Sequence, residues 1–286
     1  MSTQITTAFV NQFSSNIQML SQQMGSLLRN AVDVETVNGE KAFFDQVGSA
    51  AAVLRTTRHA DTPLVDTPHS RRMVTMSDYE YADLIDDQDK VRLLVDPTST
   101  YARAAAAAMG RAMDDVIISA ALGTSLTGKD GTTSTPFDSN NTIAVGGAGL
   151  TLSKLIEAKE ILDSNDVDPS IPRYMAVSPK QIANLLDDNE ITSADYNTVR
   201  ALVKGELDTF VGFKFIMTNR LGVDGSGDRR CFAWAMDGLK LAVGKEPTAR
   251  IDERADKSYA TQVYYCMSIG ATRMEEAKVV EIICDE

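Results

Sequence analysis

The stretch "ADLIDDQDKVRLLVDPTSTYARAAAAAMGRAMDDVIISAALG", residues 82–123, carries the strongest structural signal in the chain. Its first part is acidic: residues 77–96 hold seven acidic and two basic side chains. Pro97 ends that run, and Thr98, Ser99 and Thr100 follow as candidate N-caps. From there alanine, the best helix former, dominates and predicts one long helix over 100–122. Tyr101, Ala105, Ala108, Met109, Ala112, Val116, Ile117 and Ala120 fall on one stripe, a slim face that another element can approach closely. Gly110 interrupts it at a cost of about 1 kcal/mol relative to Ala, which marks a bend or a tight contact.

The helix runs into "GTSLTGKD", Gly123–Asp130, which partly matches the phosphate-binding loop G-x-x-x-x-G-K-[ST]. The match fails on chemistry and on setting. Asp130 stands where a hydroxyl should hold magnesium, and its carboxylate would repel phosphate. The stretch follows a helix rather than a strand, and "GTTSTPF" after it cannot supply a helix N-terminus for the anion. Gly123 reads better as a helix C-cap, and the residues after it as a surface turn.

Towards the C-terminus, helices and strands mix. "LSKLIEAKEILD" (152–163) has helical spacing, and "RYMAV" (173–177) reads as a strand. "SPKQIANLL" starts a helix with Ser178 as N-cap, Pro179 at the first helical position and Gln181 completing an S-x-x-Q box. Ala194–Lys204 predicts another helix, ended by Gly205. Strand patterns recur in "TIAV", "FVGFKFIMT", "RCFAWAM", "LKLAV", "ATQVYYCMSIGATRM" and "KVVEIIC". Several of these strands are not separated by helices, which favours an α+β fold over a doubly wound sheet.

Towards the N-terminus, Phe9, Phe13, Ile17, Leu20, Met24 and Leu27 recur at spacings of four and three, the mark of an amphipathic helix. It packs on its own domain or docks as an arm on a neighbouring subunit. Residues 53–76 hold two prolines, both histidines and four arginines, and predict an extended loop or hairpin too long for a plain connector. This basic segment directly precedes the acidic one.

Bulk properties narrow the function. The 286 residues are 43% apolar and 24% charged, as in an ordinary globular protein. A net charge of −12 argues against duplex nucleic-acid recognition. Cys231, Cys266 and Cys284 are odd in number and lack C-x-x-C spacing, which suits a reducing compartment. No apolar run approaches the roughly 18 residues of a membrane span, and the single charge in the first thirty residues, Arg29, does not suit a signal peptide. The chain is therefore expected to stay inside the cell that makes it. No nucleophile elbow or H-E-x-x-H is present. The acidic cluster of Asp83, Asp86, Asp87 and Asp89 has no histidine partner or ligand spacing, and "DGSGD" (224–228) reads as a turn. No catalytic residue, cofactor site or metal site is expected.

The order of features is more specific than any one motif. An apolar N-terminal arm, a long extended loop and "LIDDQDKVRLLVDP" run into the alanine-rich helix ending "DDVIISAALG". "YMAVSPKQIANLL" and "VGFKFIMTNRL" follow later. Together, from about residue 5 to 286, these features resemble the major capsid proteins of tailed bacteriophages with the Hong Kong 97-type fold. The resemblance implies an N-terminal arm and helix (1–50) and an extended loop (51–80). It further implies a peripheral domain (81–150) with its spine helix at 100–122, an axial domain (151–248) and return strands of the peripheral domain (249–286). It implies self-assembly into hexamers and pentamers of an icosahedral shell around double-stranded DNA bound without sequence specificity. Scaffold, portal and cement proteins would be further partners, with assembly in the host cytoplasm and no membrane. Unlike the family's prototype, the chain is not expected to carry a long N-terminal scaffolding segment, and no motif identifies cross-linking residues.

Between copies, Arg58, Arg71 and Arg72 are expected to meet the neighbour's Asp83, Asp86 and Asp87, and Phe9, Phe13 and Ile17 to dock the arm. An encapsulin-type nanocompartment shell shares the fold and is the main alternative. A tail or portal-type subunit, or a nucleotide-hydrolysing enzyme using Gly123–Lys129, fits less well.

Overall fold

A computed structural model describes residues 22–58, 61–62, 64–85, 98–187 and 209–286. Fourteen strands and three α-helices are named among them, in the order β1 Asp33–Thr36, β2 Lys41–Val47, β3 His69–Thr75, β4 Ser77–Ile85, α1 Thr98–Leu122, β5 Ser125–Thr127, β6 Thr133–Thr135 and β7 Thr142–Ile143. Then come α2 Leu152–Ser164, β8 Arg173–Val177, α3 Pro179–Asp187, β9 Thr209–Phe210, β10 Phe213–Met217, β11 Arg229–Ala235, β12 Leu239–Arg254, β13 Ala260–Arg273 and β14 Val279–Cys284.

The chain divides into two compact units. The larger comprises residues 27–77, 113–244 and 269–286. Its main sheet has the order β7-β14-β11-β8-β10-β9. β11 is antiparallel to both β14 and β8, whereas β10 runs parallel to β8 and β7 parallel to β14. This mixed sheet is the α+β arrangement expected. β8, β11 and β14 are buried along nearly their whole length, because apolar residues fill both faces rather than alternate. Phe213, Phe232, Trp234 and Met175 are fully buried here, each worth roughly 1.5–3 kcal/mol of burial. The Trp234 indole donates to the Ala31 carbonyl at 2.8 Å. α2 is capped by Thr151, whose hydroxyl accepts from Lys154 N–H, and buries Leu155, Ala158 and Leu162. Lys154 is buried with them, its ammonium satisfied by the carbonyls of Val145, Ala148 and Ile283 at 2.8–2.9 Å.

A second sheet in this unit has the order β2-β3-β5-β6. β2 and β3 form a hairpin in register from Lys41↔Thr75 to Val47↔His69, and Gly48 N–H donates to Pro68 where the connecting segment begins. Ala42, Phe44, Val74, Ala242 and Met274 make the cluster beneath it. Gly270 lies so close to the Thr75 carbonyl that an added Cβ would meet it at 2.5 Å.

The smaller unit comprises residues 1–26, 78–112 and 245–268. It contains most of β4, the first part of α1 and the distal parts of β12 and β13. β4 shows period-two burial, with Tyr79, Tyr81, Asp83 and Ile85 on its inner side. Gly110 of α1 makes the tight contact its position suggests: an added Cβ would stand 2.3 Å from the backbone of Gly25.

Several sequence expectations are corrected. α1 starts at Thr98, two residues earlier than expected. Its buried side runs through Ala105, Met109, Met113, Ile117 and Ala121, while Tyr101 is exposed. The stripe is rotated because Met113 and Ala121, not Ala112 and Ala120, face inward. Met24 and Leu27 lie outside any helix, where Gly25 adopts φ +77°. β12 continues past "LKLAV" to Arg254, through Pro247 and a run of exposed side chains that hides the strand pattern. β14, the last strand, is a member of the six-stranded sheet. The expected helix 194–204 lies outside the described residues.

Candidate inter-subunit surfaces

Alternation along β3 separates two arginines that look equivalent in sequence. Successive side chains of a strand point to opposite faces. Arg71 points outward and pairs across the hairpin with Asp45, at 2.5 Å, while its guanidinium also lies over the Phe43 ring. The hydrogen bond from Arg71 holds the Asp45 carboxyl below the usual carboxylate range.

Arg72 points inward, opposite Phe44, and is 8% exposed. It donates to the Met274 carbonyl at 2.7 Å and pairs with Glu276 at 3.3 Å. Burial pushes its proton affinity below that of an ordinary arginine, opposed by Glu276 and reinforced by Arg273. Arg72 is therefore not a surface cation, and the expectation that it meets a neighbour's aspartates is withdrawn.

Arg273 completes this buried group, and sequence reasoning missed it. It is fully buried, donates to the carbonyls of Ala121 and Gly123 at 2.8 Å each, and also pairs with Glu276. It thereby satisfies carbonyls that the end of α1 leaves without helical partners, with a cation at the negative end of the helix dipole. Gly123 does follow the last helical residue, but not in the left-handed conformation assumed for a C-cap. It is needed for space, since an added Cβ would lie 2.4 Å from the Ser119 carbonyl. The rest of "GTSLTGKD" is strand β5 and the turn into β6, with Gly128 at φ +92° and Gly131 at φ +66°. What looked like a plain surface turn is a β-hairpin paired to β3, and no helix N-terminus follows it. This geometry holds no phosphate cradle.

The "DD" of the helix is structural. Asp114, fully buried, accepts from the backbone N–H groups of Leu27 and Leu28, both at 3.1 Å, while Asp115 forms a bidentate pair with Arg220. Arg220 belongs to "TNRL", so two parts of the family-like pattern meet in one ion pair.

The two most exposed large apolar side chains among the described residues lie on the segment joining β2 to β3. Among residues 49–68, the described ones form no helix or strand and nearly all are exposed. Leu54 is 84% and Leu64 99% exposed, and Val47 and Val53 add to this apolar edge. Arg58 is exposed on the same segment. Asp83 is half-buried on β4, where its carboxylate accepts from Leu84 N–H. Asp86, Asp87, Phe9, Phe13 and Ile17 lie outside the described residues. Among the described residues, no cluster of potential metal ligands is found.

No curated protein sequence matches the chain. Solved structures do. The capsid of the cyanophage P-SCSP1u superposes with a TM-score of 0.76 at 15% identity, covering 100% of this chain and 96% of that one. The capsid of Ralstonia phage GP4 gives 0.73 at 12% identity, covering 97% and 95%. The capsid of a native GTA particle gives 0.70 at 14% identity, covering 98% and 96%. The fold is thus the Hong Kong 97-type capsid fold. The family described as phage capsid protein matches residues 5–286. A match over nearly the whole length places the chain in the phage capsid protein family, as a structural capsid subunit.

Proposed function

We propose that this chain is the major capsid subunit of a bacteriophage, assembling with copies of itself into the hexamers and pentamers of an icosahedral shell that encloses double-stranded DNA. Assembly would take place in the host cytoplasm. The observation that carries this reading is the segment beyond the β2–β3 hairpin. A hairpin packed on a buried apolar cluster carries an extended stretch whose leucines are left almost wholly in water. Burying one such side chain is worth roughly 1.5–3 kcal/mol, so a neighbouring copy that covers Leu54 and Leu64 gains affinity without refolding the subunit. Contacts of one copy's loop on the next copy's body are heterologous, and such contacts close into rings when the rotation permits.

Arg58 is the basic group on this segment suited to meet an acidic surface of the neighbour, with Asp83 as one partner. Arg71 and Arg72 are occupied within their own chain. Net negative charge suits a wall that must not trap DNA.

The test replaces residues 50–66 with a two-residue turn and compares sedimentation with the parent. Parent protein should form shells, and the variant should stay a folded, unassembled subunit with unchanged circular dichroism. Shells of normal size from the variant would remove the loop from the assembly mechanism.

A further inference from the structure

The distal parts of β12 and β13 bring an amine and a thiol together. Lys245 of β12 is exposed, and its Nζ donates to Sγ of the half-buried Cys266 on β13 at 3.0 Å. Among the described residues this ammonium makes no ion pair with a carboxylate. Tyr264 lies two residues from Cys266, on the same side of β13, and its hydroxyl donates to Glu80 of β4 at 2.8 Å. That bond to Glu80 pushes the phenol up to about 12, so it stays protonated. Glu80 is thus engaged by Tyr264 while Lys245 is directed at sulfur. The other two cysteines, Cys231 of β11 and Cys284 of β14, are free and buried.

We propose that Lys245 and Cys266 are a cross-linking pair, joined by a sulfur–nitrogen bond when peroxide reaches the strands. In the first step the Cys266 sulfur attacks one peroxide oxygen. The O–O bond breaks, water leaves, and Cys266 becomes a sulfenic acid. Sulfenic acids condense with nearby thiols or nitrogen. Lys245, having released its ammonium proton to solvent, then attacks the sulfur. The S–O bond breaks, the leaving hydroxide takes the second amine proton, and water departs. Overall, one peroxide is reduced to two waters, while thiol and amine together lose two electrons and two hydrogens. The product is a sulfenamide that ties β12 to β13, and excess thiol reverses it. Its position makes it a staple within one subunit, set after the chain has left a reducing compartment.

The test treats the full-length protein with hydrogen peroxide, then measures intact mass and maps peptides. A cross-linked product lighter by two hydrogens is expected. Protease should no longer cut after Lys245, and a Lys245–Cys266 linked peptide should disappear on reduction with dithiothreitol. Cys266→Ser and Lys245→Arg should each abolish that peptide. Lys245→Arg keeps the positive charge on an exposed site, so it reports on chemistry rather than folding. A Cys266 sulfinate or sulfonate beside a free Lys245 amine would overturn the proposal, as would a linked peptide that persists in Lys245→Arg.

Discussion

Arg71 and Arg72 are adjacent in sequence, and the structure gives them opposite roles that can be measured. Replacing Arg72 with methionine keeps most of its apolar stem but removes the guanidinium. The Met274 carbonyl then loses its donor at 2.7 Å, and a hydrogen bond from a charged group contributes about 1.5–3 kcal/mol. Glu276 loses one ion-pair partner but keeps Arg273, so the roughly 3–5 kcal/mol cost of orphaning a buried charge does not apply in full. Repulsion between the two arginines is relieved, which offsets part of the loss. The expected net cost is about 2–3 kcal/mol, within the usual range for breaking a buried polar network. Arg71→Met removes a solvent-exposed pair with Asp45 and an exposed contact over the Phe43 ring, and should move the transition little. Urea unfolding of unassembled subunit reports both, because the single tryptophan, Trp234, is fully buried. An Arg72→Met variant within about 0.5 kcal/mol of the parent, the range of an ordinary surface substitution, would refute this account of the buried group. Equal losses from the two variants would refute the inward–outward assignment.

Three further outcomes follow from single contacts. Gly110→Ala should destabilise the subunit although alanine is the better helix former by about 1 kcal/mol, because its Cβ would meet Gly25 backbone at 2.3 Å; a raised unfolding midpoint would contradict the tight contact. Asp114→Ala should cost about 2–4 kcal/mol, since it leaves the buried Leu28 N–H without its carboxylate acceptor, and limited proteolysis near residue 26 should accelerate. Arg254 holds Asp256 down at about 2 from the ordinary 3.8. A carboxylate lowered by folding contributes its stabilisation above the unfolded value and loses it as pH falls towards 2. Titration of the Asp256 carboxyl by NMR should show this midpoint, and Arg254→Gln should return it to the ordinary range.

How much of this was legible in sequence depended on the kind of interaction. The end of α1, α2, β8, Pro179 at the start of α3 and the apolar strands follow local rules of spacing and capping. Ser178 does accept from Gln181 N–H at 3.4 Å, as a capping box requires. Yet the Gln181 side chain goes elsewhere, accepting from Leu150 N–H and donating to the Asp285 carbonyl. Only the tertiary fold brings residues 150 and 285 to it. The same holds for Arg273, which caps a helix ending at Leu122, far upstream in the chain, and for Asp114. The reading of 53–76 as an extended loop or hairpin covers β3 but not its partner β2, which lies upstream at Lys41–Val47 and is paired to it only in the folded chain. Once a strand is assumed, period-two alternation alone separates Arg71 from Arg72. The resemblance to capsid proteins rested on feature order, and the Asp115–Arg220 pair gives part of that order a physical basis.

The most direct measurement is electron cryomicroscopy of particles assembled from the purified chain. Closed icosahedral shells with five- and six-fold capsomers are expected, in which Leu54 and Leu64 of each copy are covered by the next. Monomers or small open rings at high protein concentration, or shells in which those leucines remain in water, would contradict it.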